Sequence, residues 1–345
     1  MTINQLFETA VQKKASDIHL IVDKQPILRI DGDLLPIDKT EKLTKTGLEK
    51  MVYAILTPNQ KAKFLEERGL DFSYEIEDGS RFRVNVFWEM DKISLVARII
   101  SSDIPSMEEI AMPQIMYEMT RDRQGLILVT GPTGCGKSTT LAAMINLINS
   151  ERTAKIVTLE DPVEFLFKSD KSVIVQRQLG TDMISFKKAL KHILRQDPDV
   201  IMVGEMRDLE TISATITLAE TGHLVLATLH TLNAAQTIDR IVDVFPPYQQ
   251  NQVRLQLSMS LNGVLSQQLL PKSGGGRIAA REILINTPAI ANIIRENKIP
   301  QIKTAIQTGA DMGMITLEQD LTRLVSDGLV EEEVAEYYLK TLPKF

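Results

Sequence analysis

The sequence predicts an α/β fold built on a parallel sheet, preceded by a smaller α+β domain and followed by a helical C-terminal segment. Two observations carry that expectation. Residues 126–130, four apolar residues and a threonine, run into a glycine-rich turn. Beyond it Leu141, Met144, Ile145 and Ile148 fall at i, i+3, i+4 and i+7, the period of a helix. From there strand-like runs at 156–159, 200–203 and 224–228 alternate with helical stretches, the mark of a parallel sheet with crossover helices.

The elements before that point are short and mixed, and residues 1–100 read as one small domain. Ile3, Leu6, Phe7 and Ala10 make a helical stripe, and 18–21 and 27–30 look like strands, the second closed by the turn Asp31-Gly32-Asp33. Helical stretches follow around 44–56 and 58–67, the second opened by Thr57-Pro58. Residues 72–76, 81–88 and 93–100 form a three-strand meander with an Asp78-Gly79 turn. Alternation in 81–88 puts Phe82, Val84, Val86 and Trp88 on one face and Arg81, Arg83 and Asn85 on the other.

Residues 101–124 are polar and read as a connection with one short helix. The α/β section runs over 125–286 and ends in a hairpin, 263–271 and 277–285 around three glycines. Residues 287–345 are helical, with breaks near Pro300, Gly313 and Gly328.

Composition narrows the function. A 345-residue chain with 43% hydrophobic residues has room for two domains with ample core. No apolar run is long enough to span a bilayer, and the first residues carry no signal-peptide core. The single cysteine, Cys135, excludes an intrachain disulfide and a thiolate metal cluster, which fits a reducing cytoplasm. A formal net charge of −6 counts against a nucleic-acid motor, as does the lack of a basic, aromatic-rich stretch.

Gly131 to Ser138 matches G-x-x-x-x-G-K-[ST] in full. Such a loop turns backbone N–H groups onto nucleotide phosphates, where side chains would obstruct. Thr133, Gly134, Cys135, Gly136, Lys137, Ser138 and Thr139 are therefore the candidate nucleotide-binding residues. Lys137 would reach the β- and γ-phosphates, Ser138 would ligate Mg²⁺, and the helix N-terminus would add its dipole.

Further chemistry gathers at strand ends. The strand 200–203 leads to Glu205, a candidate general base beside the loop. Glu160, Asp161 and Glu164 crowd the end of a second strand and suggest Mg²⁺ or water organisation, Glu160 being the candidate metal ligand. A helix or turn cap at Asp161-Pro162 is the alternative. His223 and His230 bracket the strand 224–228, which tilts them towards sensing of the γ-phosphate. His19 reads as a local hydrogen-bonding residue.

Together these segments resemble the secretion and pilus motor ATPases, and within them the type IV pilus retraction ATPases. The resemblance rests on Ala15-Ser16-Asp17-Ile18-His19-Leu20, Arg81-Phe82-Arg83-Val84-Asn85, the loop 131–140, and Glu160-Asp161-Pro162-Val163-Glu164-Phe165. It continues through 195–208, 221–231 and 239–246, in the family's order. It implies a PAS-like N-terminal domain, a RecA-like ATPase core, ATP with Mg²⁺, and a homohexameric ring. In that ring one subunit's N-terminal domain closes onto the next, which makes Arg81, Arg83 and Arg98 candidate trans-acting arginines. It also implies work at the inner membrane through a pilus platform protein, acting indirectly on pilin, with no nucleic acid and no membrane span.

Assembly and secretion members usually carry a four-cysteine zinc insert and a longer N-terminal region. One cysteine, and a Met1 only a few residues ahead of the first domain, favour the retraction type. Cys135 stands where the family commonly has serine, and a side chain pointing out of the loop there would be tolerated and thiol-sensitive. Residues 289–296 follow the helix-start signal Thr287-Pro288, with Ile290, Ile293 and Ile294 as one stripe. Pattern alone makes this a plain amphipathic helix. It resembles the retraction motif A-I-R-N-L-I-R-E, with Ala291 in place of the first arginine and with Arg295 and Glu296 retained.

Overall fold

The computed structural model describes residues 1–30, 32–100 and 103–341; Asp31 of the expected turn, Ser101 of the expected connection and residues 342–345 lie outside the described residues. Two compact units divide the chain, Met1–Ser102 and Asp103–Phe345.

The first unit is α+β. Its α1 (Ile3–Gln12) is opened by Thr2, whose hydroxyl accepts the Gln5 N–H while the Gln5 side chain accepts the Thr2 N–H. An N-cap of this kind stabilises by about 1 kcal/mol. There follow β1 (Asp17–Leu20), β2 (Ile27–Ile30), β3 (Asp33–Pro36), α2 (Lys45–Ile55), α3 (Pro58–Glu67), β4 (Gly69–Glu75), β5 (Arg81–Glu89) and β6 (Lys92–Ile100). The strands pair antiparallel in the order β3-β2-β1-β6-β5-β4. β3 is exposed along its whole length, so no hydrophobic alternation announced it. In β5, Phe82, Val84 and Val86 are buried, and Phe7 of α1 stacks on Phe82 with centroids 4.3 Å apart. Trp88 is only half-buried, with the Arg68 guanidinium 4.8 Å from its ring centroid.

The second unit is the α/β section. It begins with α4 (Gln114–Arg121), β7 (Gly125–Thr130), α5 (Lys137–Glu151), β8 (Lys155–Glu160), β9 (Val173–Gln178) and α6 (Phe186–Ile193). Next come β10 (Val200–Val203), α7 (Leu209–Glu220), β11 (Leu224–Leu229), α8 (Ala234–Asp243), α9 (Pro247–Ser260), β12 (Leu261–Pro271) and β13 (Arg277–Ile285). Four further α-helices close it: α10 (Pro288–Arg295), α11 (Ile302–Thr308), α12 (Leu317–Ser326) and α13 (Glu332–Thr341). The sheet order is β13-β12-β7-β11-β10-β8-β9, parallel except for the antiparallel β13. β7, β10 and β11 are buried at every residue, as strands covered on both faces must be.

Residues 103–124 pack as part of this unit. Met107, Met112, Met116 and Met119 are buried with Leu141, Met144 and Ile148 of α5. Those four methionines stand among Ser, Asp and Arg residues, which is why the stretch reads as a polar connection. Arg281 on β13 fastens it: the buried guanidinium donates to the carbonyls of Ile110 (2.6 Å) and Ala111 (2.8 Å). Burial pushes its pKa down to about 10, so it keeps its charge at neutral pH.

Parallel pairing in register aligns the strand ends. Leu229 lies opposite Thr130, and Val203 opposite both Ala227 and Leu159. The residues that follow these strands therefore share one edge of the sheet. Among the described residues no helix is long and apolar enough to cross a membrane.

Candidate nucleotide site

At that shared edge the loop between β7 and α5 is shaped by its glycines. Gly131 has φ +139° and lies so close to the Gln267 carbonyl that a Cβ there would collide. Gly136 caps α5 in the left-handed region, at φ 89°. Only glycine takes such a conformation without steric cost. Thr133 and Gly134 are exposed at the tip, and Ser138 and Thr139 are half-buried in the first turn of α5.

Lys137 folds back onto its own loop, with Nζ 2.7 Å from the Gly131 carbonyl and 3.0 Å from that of Pro132. Burial lowers its pKa, against the pull of Cys135, Glu205 and Glu164. An ammonium held by two carbonyls and partly desolvated is ready to exchange them for phosphate oxygens.

Glu205 follows β10 and is held at both oxygens. His230 Nε2, at the end of β11, lies 3.0 Å from Oε1, and Arg207 Nε lies 2.8 Å from Oε2. The other nitrogen of His230, Nδ1, is 3.5 Å from Lys137 Nζ. Thr228 Oγ1 donates to the Gly204 carbonyl, which ties the two strand ends together. Loop lysine, candidate base and histidine thus form one chain of contacts.

Glu160 lies at the end of β8 and is 6% exposed. Its Oε1 accepts the Thr158 hydroxyl (2.6 Å) and the Gln176 amide (3.1 Å). Burial raises its pKa, which those hydrogen bonds oppose. Glu164 is exposed, yet close enough to act on the charge of Lys137. Asp161 Oδ2 is 3.9 Å from Arg207.

Three expectations are corrected. His223 precedes β11, whose first residue pairs with Gly125 and whose last pairs with Thr130. Six residues at about 3.3 Å each put it roughly 20 Å from the loop edge. There its Nδ1 lies 3.0 Å from the Leu218 carbonyl and 3.2 Å from the Thr221 hydroxyl, so it closes a helix end and senses no phosphate of this loop. Cys135 does not point outwards: it is 3% exposed and burial raises its thiol pKa, which suppresses the reactive thiolate. His19 makes no hydrogen bond at its buried Nε2, and burial lowers its pKa.

In the first unit, Arg81, Arg83 and Arg98 share the sheet face opposite Phe82, each beside an acid. Arg81 Nε is 3.2 Å from Glu75, Arg83 Nε 3.9 Å from Asp71, and Arg98 Nε 2.8 Å from the buried Asp17.

Several supporting residues were not foreseen: Arg207 on Glu205, Thr158 and Gln176 on Glu160, and Gln267 with Thr140 behind the loop. The one signal for Gln267 is Ser266-Gln267-Gln268, three consecutive polar residues between the apolar pairs Val264-Leu265 and Leu269-Leu270.

The model of the family described as Type II/IV secretion system protein matches residues 1–309. The Type IV pilus retraction ATPase PilT of Pseudomonas aeruginosa is 47% identical over 335 residues, 97% of each chain. The twitching motility protein of Neisseria gonorrhoeae is 47% identical over 335 residues, 97% of this chain and 89% of that one. Among solved structures, the pilus retraction motor PilT with bound ADP superposes with a TM-score of 0.92 at 43% identity, covering 100% of this chain and 98% of its own. With the phosphate loop, Glu205 and His230 meeting at one sheet edge, this chain belongs to the Type II/IV secretion system protein family, among its pilus retraction ATPases.

Proposed function

We propose that this chain hydrolyses ATP at the loop 131–138 and uses the energy to retract type IV pili. The observation that carries the reading is the chain of contacts from Lys137 through His230 to Glu205. Lys137 exchanges the Gly131 and Pro132 carbonyls for phosphate oxygens. Glu205 orients the attacking water and takes its proton once His230 or Arg207 releases an oxygen. His230, freed from Glu205, faces the position of the γ-phosphate.

Mg²⁺ bound with ATP neutralises phosphate charge, and the oxygen donors here suit so hard a cation. Ser138 in the first turn of α5 would hold it, and Glu160 would act on its water shell, since its Oε1 is already engaged. Glu164 would help to order that water.

The working form is a homohexamer bound peripherally to an inner-membrane platform protein. Charge building on the γ-phosphoryl oxygens calls for a mobile cation, and Arg81, Arg83 and Arg98 would supply it from the neighbouring subunit. The domains serve these roles as an N-terminal domain over 1–100, an ATPase core over 125–286 and a helical segment over 287–345. Purified protein tests the chemistry: Mg²⁺-dependent ATP hydrolysis supports the reading, and stimulation only by DNA would favour a nucleic-acid motor.

A further inference from the structure

β12 grips the phosphate loop from behind. Gln267, 2% exposed, donates Nε2–H to the Cys135 carbonyl (2.7 Å) and accepts the Thr140 hydroxyl at Oε1 (2.9 Å). Its own carbonyl occupies the space beside Gly131, and the neighbouring Ser266 accepts the Thr130 hydroxyl at 2.8 Å. The strand thus touches the loop at its start, its middle and the helix beyond.

We propose that Gln267 is a positioning residue for the nucleotide: by holding the Cys135 carbonyl towards β12, it keeps the Gly136 N–H aimed at the bound phosphates. A trans peptide is planar, so its C=O and N–H point in opposite directions. Anchoring the Cys135 oxygen on the β12 side therefore sends the Gly136 N–H to the other side. Gly136 has no Cβ and sits at φ 89°, so nothing local prevents that peptide from turning over. Gly136 is also the residue that caps α5, where N–H groups have no partner within the helix. The Cys135 carbonyl settles which way round the Gln267 amide lies: it can only accept, so it faces Nε2–H, and Oε1 is left to accept the Thr140 hydroxyl.

The role rests on the reading of the loop as an ATP site, and the test separates the two. Gln267→Met keeps the length of the side chain and removes both hydrogen bonds. In the full chain, fluorescence titration with Mg·ADP and steady-state ATP turnover are read together. The Kd for ADP and the KM for ATP are expected to rise about 10- to 100-fold, with kcat changing less than about threefold, because the lost contact serves ground state and transition state alike. A purely structural role would lower the thermal midpoint without this split. Thr140→Val gives a smaller loss in the same direction, and the double variant loses no more than Gln267→Met, since both break one link. ADP affinity within twofold of wild type in Gln267→Met, or fully additive losses, overturns the proposal. If Gln267→Met does not fold, unchanged ADP affinity in Thr140→Val overturns it. Wild-type protein that binds no ADP overturns the ATP-site reading as well.

Discussion

His230 Nε2 stands 3.0 Å from Glu205 Oε1 while its Nδ1 lies 3.5 Å from Lys137 Nζ. One imidazole therefore bridges the loop lysine and the candidate general base. The roles at its two ends are separable by substitution.

Lys137→Ala is expected to abolish productive ATP binding. Glu205→Ala is expected to keep binding and lose about 10²–10⁴-fold in turnover. Equilibrium binding and steady-state hydrolysis on the same preparations distinguish them. Near-normal turnover in Glu205→Ala would move the water-activating role to Glu160 or Glu164.

Arg81 and Arg83 are expected to act across a subunit boundary. Mixing Arg81→Ala, Arg83→Ala protein with Lys137→Ala subunits should restore part of the ATPase activity, because some boundaries then have both halves intact. Co-assembled mixtures that never exceed either parent would contradict the trans role.

The two faces of α10 should behave differently. Ile294 is fully buried, and Ile294→Ala is expected to cost about 2–5 kcal/mol in unfolding by urea. Arg295 is exposed and its guanidinium lies 3.5 Å from the Asn292 side chain, so Arg295→Ala should leave folding and most ATPase activity in place. Pilus retraction in cells should nevertheless be lost. ATPase loss as deep as in Lys137→Ala, with the assembly intact, would place Arg295 in the chemistry instead.

Glu282 gives a test against pH. Buried on β13, it accepts the Ala234 N–H at 2.8 Å, and burial raises its pKa. The folded chain then binds a proton more tightly than the unfolded one, so this group's contribution to stability falls as pH rises above the ordinary carboxylate pKa. Glu282→Gln keeps the acceptor and removes the titration. Its unfolding free energy relative to wild type should therefore increase between pH 4 and pH 8, as measured by urea denaturation; a decrease would contradict the assignment.

What the sequence made legible was set by period and motif. The phosphate loop, the buried strands at 126–130, 200–203 and 224–228, and the arginine face of β5 follow from spacing alone. β9 did not, because an edge strand with Val173 and Val175 exposed carries its apolar residues outward. His223 misled because bracketing a strand places two residues at opposite ends of it, and only one end meets the loop. Gln267 was hidden because its partners, Cys135 and Thr140, are 132 and 127 residues away in sequence.

If turnover at this one sheet edge powers pilus retraction, then retraction in cells depends on Glu205. In cells lacking the gene, wild-type protein should restore retraction of fluorescently labelled pili, and Glu205→Ala at equal expression, with ATP binding intact, should not. Retraction at wild-type speed with Glu205→Ala, or unimpaired retraction without the gene, would contradict it.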